Sequence, residues 1–293
     1  MLANCSFVLL TSCSQSDSLF IKEDYAQVSD FSYIGVIHND MMDNLMDNFI
    51  VEDSILQQCS MDEFLTYVAD FNKDYLKTAV LHPSVNPDYA IRLVDENKEL
   101  LNYEALSDAL CQASTFTPVS RTDETVSLNQ LTPLEVIERG FESIRSGYSM
   151  GVFTKDTYVI LNDLFTVILK NHQGLLSDRN FENEVDKLIK RVDNTHYTLN
   201  EPTIQTVGPV LALSQSSIDW WSTHPDALPV NGKIAPWVIA DAVGAIEGVV
   251  AYAITTSKAN CNLKDAGVNA LVGGVLGSLG GTAKLLKLLK KVK

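Results

Sequence analysis

Positive charge is scarce in this chain. Twenty-two lysines and arginines stand against 37 aspartates and glutamates, a formal charge of −15 at pH 7 over 293 residues. A surface of that sign repels phosphate backbones, so nucleic acid is not an expected partner. The usual signatures of catalysis are missing too: there is no Gly-x-Ser-x-Gly elbow, no His-Glu-x-x-His and no Cys-x-x-Cys. The five histidines are scattered, although a triad assembled in space would leave no mark on their order. The sequence therefore points to no catalytic residue, cofactor or metal. A non-enzymatic role is favoured over its competitor, a hydrolase whose site is built only by the fold. Internal repeats and strict apolar–polar alternation are also lacking. The expected fold is mainly α, a multi-helix body with a C-terminal glycine-rich helical hairpin.

Cysteine is sparse, and its five positions match no zinc site. Near the N-terminus Leu10-Thr11-Ser12-Cys13 ends an apolar run and is followed by the polar stretch Ser14 to Ser18. These four residues resemble the lipobox of bacterial lipoproteins. The resemblance implies cleavage before Cys13, lipid attachment to Cys13, and a lipid-anchored address in the bacterial cell envelope, the outer membrane included. It covers about a dozen residues, and no lysine or arginine precedes the apolar run, whereas a secretory signal normally opens with a basic segment. The alternative is a short buried strand with an incidental cysteine. On this reading residues 1–12 are a truncated signal peptide, 13–32 a tether, 33–235 an acidic helical body, and 236–293 the hairpin with a cationic tail. Cys59, Cys111 and Cys261 remain, either as buried thiols or as one disulfide and one free thiol.

The body reads as a series of capped helices. Asp24 to Ser32 is polar and expected to be extended. Asn39 or Asp40 then caps a helix whose apolar face is Met41, Met42, Leu45, Met46, Phe49 and Ile50. Gly35, His38 and Asn39 resemble a Gly-x-x-His-Asn stretch of uncharacterised secreted Bacteroidetes proteins, which implies no activity. His38, Asp40 and Asp43 come nearest to a metal set, of the oxygen-rich kind that suits a hard cation. Acids in a first helical turn are favoured by the helix dipole in any case, so a solvated acidic face with a structural histidine is the preferred reading.

Ser60-Met-Asp-Glu63 opens a helix to about Val80, and Asn86-Pro87 another to about Ala113. Ser114 to Gln130 reads as a surface loop. Thr132-Pro133-Leu134-Glu135 starts a helix that Gly147 should end. Lys155 to His172 is apolar nearly all round and is expected at the centre of the body. A charged helix follows from Ser177 to about Val192, and then one from Thr203 to Thr223, its start limited by Pro209. Trp220 and Trp221 close that last helix. They are expected to anchor a loop to the core, with sugar stacking and a membrane interface as alternatives.

The last 57 residues comprise an apolar helix from Trp237 to Ser257, a polar turn to Asp265, an uncharged segment from Ala266 to Ala283, and five lysines in the final ten residues. No proline follows Pro236, and eight of the fifteen glycines fall between Gly244 and Gly281. Each mid-helix glycine costs about 0.8–1.0 kcal/mol relative to alanine. A close neighbour must offset that cost, and glycines four apart let one approach: Gly244 and Gly248 on one arm, Gly273, Gly277 and Gly281 on the other. Three readings follow. The hairpin engages membrane, with Trp237, Lys284, Lys287, Lys290 and Lys291 at the lipid surface. Or it is a buried packing hairpin of a soluble helical protein. Or it is a pore-forming element, since small-residue helices followed by lysines resemble peptide bacteriocins. Asp241 and Glu247 count against a span, because acids near a bilayer centre cost roughly 2.5–3.5 kcal/mol or more. The expected partner is membrane lipid or another helix, from this chain or from a second subunit.

Overall fold

The computed structural model describes residues 25–51, 61–100, 133–224, 238, 241–246, 248–249 and 267–274. The fold is mainly α, with no strand among the described residues. The described residues include seven long helices: α1 (Ser32–Val51), α2 (Met61–Thr78), α3 (Pro87–Leu100), α4 (Pro133–Ser149), α5 (Lys155–His172), α6 (Asp178–Asp193) and α7 (Pro202–Thr223). Residues 241–246 and 267–274 are helical as well and belong to the two arms of the hairpin.

Local chemistry sets most of the boundaries. Thr154 caps α5 by accepting from the Thr157 amide at 3.0 Å, and Ser177 caps α6 by accepting from the Asn180 amide at 3.3 Å. Asn86 accepts from the Tyr89 amide at 3.2 Å, and Pro87 occupies the first helical position of α3. In α6 the buried residues Phe181, Val185, Leu188 and Val192 recur every three or four positions, a stripe that charged residues surround. Lys73 of α2 meets Asp95 of α3 at 2.7 Å, an exposed pair that aligns the two helices and adds little stability.

Four expectations are corrected here. The helix expected to open at Asn39 or Asp40 opens at Ser32, after a 3-10 turn over Val28–Phe31. The Gln27 amide donates to Asp30 at 2.8 Å and organises that turn. Ala26, Val28 and Phe31 are buried, so this end of the expected 13–32 tether is part of the body. The second correction concerns Gly147, which does not end α4. Its missing side chain makes room for the Phe153 ring, while Gly151, at φ 69°, takes the left-handed conformation just after the helix. Third, Pro209 lies inside α7 rather than at its start, because Pro202 already supplies the first-turn proline.

The fourth correction moves the centre of the molecule. Helix α5 buries one face only, with Val159 43% exposed. Helix α7 is the buried one: from Val207 to Ser214 every residue is inaccessible. It packs against α1, α5, α6 and the 28–31 turn. It also meets both arms, through Ser217 at Asp241 and through Leu213 at Gly274. Val238, Ala242, Ala245, Ile246, Val268, Ala270 and Leu271 join the same apolar cluster as the body. This part of the hairpin thus shares one core with α7, and full burial of each valine, leucine or isoleucine among these is worth about 1.5–3 kcal/mol. The remaining expectations, among them Cys13, the 114–130 loop, Trp237, Gly277, Gly281 and the lysines from Lys284 to Lys291, lie outside the described residues.

Candidate functional site

The two arms meet at glycine. A Cβ on Gly273 would lie 2.2 Å from the Gly244 carbonyl oxygen, and one on Gly248 would lie 2.2 Å from that of Asn269. Both obstacles are backbone, which cannot swing aside as a side chain can. In an open helix, glycine to alanine gains about 0.8–1.0 kcal/mol. Gly273→Ala should reverse that sign and lower stability by about 1–3 kcal/mol, as for other overpacked cores, read as a lower midpoint of chemical denaturation.

Beside this contact lies a buried polar node. His38 of α1, Ser217 of α7 and Asp241 of the first arm are each 0% exposed. His38 Nε2 is 3.4 Å from Asp241 Oδ2, and the Ser217 hydroxyl donates a short hydrogen bond to that same oxygen. The other ring nitrogen, Nδ1, is 2.9 Å from Asn39 Oδ1. Asn39 Nδ2 donates to the Ser216 carbonyl at 3.1 Å, which fixes the orientation of the amide and leaves Oδ1 as an acceptor. Both histidine nitrogens therefore face acceptors, and the ring is suited to carry both protons. Burial by itself would lower the His38 pKa. The charge of Asp241 and the hydrogen bonds to Asp241 and Asn39 together outweigh it and raise the pKa above the ordinary 6.5. Asp241 Oδ1 has no hydrogen-bond partner among the described residues.

The local sequence explains how the node forms. Gly35 lies one turn before His38, and a Cβ there would strike the Ser216 side chain at 1.8 Å. Glycine at this point lets α1 and α7 close together and brings Asn39 within reach of Ser216. The second arm is pinned separately: Asn269 Nδ2 donates to the Tyr89 hydroxyl of α3 at 2.8 Å.

The residues weighed as a metal set do not converge. His38 turns inward to Asp241. Asp43 accepts the indole N–H of Trp220 at 2.6 Å and stands 3.6 Å from His224 Nε2. Asp40 faces the Tyr75 hydroxyl at 3.5 Å, and burial, followed by that carboxylate, pushes the Tyr75 pKa up to about 12. Among the described residues no group of three His, Cys, Asp or Glu could hold a metal ion.

Nor does the node have the wiring of a hydrolytic triad. There the serine donates to histidine, and histidine donates to the acid. Here serine and histidine converge on one carboxylate oxygen, and the serine donates to that acid rather than to the imidazole. Ser217 escaped the sequence reading, and Asp241 entered it only as an acid that counts against a span. The available signal was an acid in an apolar arm and a histidine in an apolar helix, each needing a counter-charge. Among the described residues no helix is long and apolar enough to cross a membrane. In comparison with known proteins, the chain matches no family model, no curated protein and no solved structure.

Proposed function

We propose that this chain is a non-enzymatic lipoprotein of the bacterial cell envelope, anchored through Cys13, whose glycine-rich hairpin takes the helices of its own body as its partner. One observation carries the second half of this reading: Asp241, an acid that opposes membrane insertion, is fully buried against His38 and Ser217. An acid in this setting favours packing in the body over a bilayer. The glycine contact between the arms supports it, since each arm already has a close neighbour. Membrane contact falls instead to the lipid on Cys13, aided by Trp237 and the lysines Lys284, Lys287, Lys290 and Lys291, which suit an anionic surface. The acidic body remains in solution as the part that meets other molecules.

Two measurements test the reading. Palmitate should label the full-length chain in a bacterial host and be lost in Cys13→Ala; label that survives the substitution refutes the anchor. In purified Cys13→Ala protein, deletion of residues 237–293 should abolish cooperative thermal unfolding of the body. A truncated body that melts as sharply, and at the same temperature, would make the hairpin an appendage rather than a core element.

A further inference from the structure

The polar node joins three elements that the apolar core alone would hold less selectively. Asp241 belongs to the first arm, His38 to α1 and Ser217 to α7, and all three are sealed from solvent. A carboxylate buried in this way needs a counter-charge, and its second oxygen has no hydrogen bond among the described residues. The counter-charge is an imidazolium, the one cation that can be discharged near neutral pH. We propose that the His38–Asp241 pair is a proton-operated latch: it holds the hairpin in the body while His38 carries both ring protons, and loosens it when the ring gives one up. The proposal rests on the reading of the hairpin as a packing element and adds what controls it. What the latch gates is exposure of the small-residue faces of the two arms.

The described groups around the pair are these. Among the described residues, the first arm presents Asp241 to the ring, α1 presents the Asn39 amide, and α7 presents the uncharged Ser217. Asp40 and Tyr75 face each other, and Asp43 is engaged by Trp220 and His224. Tyr33 stacks on His82 at 4.4 Å between ring centres, and Tyr89 accepts from Asn269. The sign follows from the raised pKa of His38. The contribution of the pair is fully present below the ordinary value of 6.5 and is lost as pH rises from there through the higher folded value.

Amide hydrogen exchange on full-length Cys13→Ala protein tests the latch, with α6 as the reference segment in the same sample. Exchange from residues 241–246 and 267–274 should be slow at about pH 6. Opening of these segments, corrected for intrinsic exchange, should rise by up to about ten-fold per pH unit within that window while α6 stays unchanged. His38→Gln combined with Asp241→Asn, a neutral pair of similar shape, should give arms whose opening no longer depends on pH. Arms that stay protected at every pH would overturn the latch and leave the packing reading standing. Arms unprotected at every pH would overturn the packing reading itself. Arms and α6 opening together would show general unfolding and overturn a latch specific to the hairpin.

Discussion

His38→Leu should cost about 3–5 kcal/mol of unfolding free energy near neutral pH, the range for breaking a buried ion pair by removing one partner. The check is a fall in the urea midpoint with the slope of the transition unchanged. Leucine fills the space of the ring but strands the Asp241 carboxylate at 0% exposure, with one oxygen on the Ser217 hydroxyl and the other unbonded. The reverse change should be milder. In Asp241→Asn the histidine sheds its proton and becomes neutral, and Ser217 keeps a partner, so a cost of about 1–2 kcal/mol is expected, comparable to one hydrogen bond. The asymmetry arises because an imidazolium discharges readily near pH 7 whereas an isolated carboxylate must take up a proton to do so. The cost of His38→Leu should also shrink as pH rises through the raised folded pKa of His38, because the unsubstituted protein then gives up the same ion pair.

Trp221→Ala should be comparably damaging, at about 3–5 kcal/mol. Trp221 heads the large side chains that are fully buried, at 1% exposure, and it sits near the C-terminal end of the central helix. Its neighbour supplies the contrast. Trp220 spends its indole N–H on Asp43 at 2.6 Å and stacks on His224 at 4.3 Å between ring centres. Trp220→Phe keeps the stacking surface and loses one hydrogen bond to a half-exposed carboxylate, which should cost about 1 kcal/mol. Thermal melts of the two variants would separate these roles. Equal losses would mean that the two tryptophans act as one block, through the edge-to-face contact between them.

The pattern of tryptophans shows where the sequence was legible and where it was not. Helix starts with a capping side chain could be read directly, because Ser177 and Asn86 act on amides three residues away. The identity of the central helix could not. Helix α5 was expected there, yet α7 is the one enclosed: its serines Ser214 and Ser217, which read as a polar face, are hydrogen-bonded to the Val210 carbonyl and to Asp241 and are buried with their apolar neighbours. Asn39 shows a similar limit. By local rules it caps a helix, but in the fold it sits mid-helix and spends its amide on Ser216, 177 positions away. The buried node was invisible for the same reason. Its members lie on separate elements, and no short-range spacing connects them. What the sequence did carry was the need: glycines without side chains to pack and an acid without water, each requiring a neighbour it did not name.

The junction between the N-terminal lead and the rest of the body fixes a geometry for the proposed anchor. Tyr25 bridges to Thr198, the Ala26 amide donates to the Tyr197 carbonyl at 2.8 Å, and the Val28 amide donates to Asp193 at 2.8 Å. Tyr25 is thus moored where α6 hands over to α7. Eleven residues lie between it and Cys13, and the twelve steps from one to the other, at roughly 3.3–3.6 Å each, reach at most about 40 Å. A lipid on Cys13 would confine the body to a shell of that height above the bilayer, with its α6–α7 corner as the point of attachment.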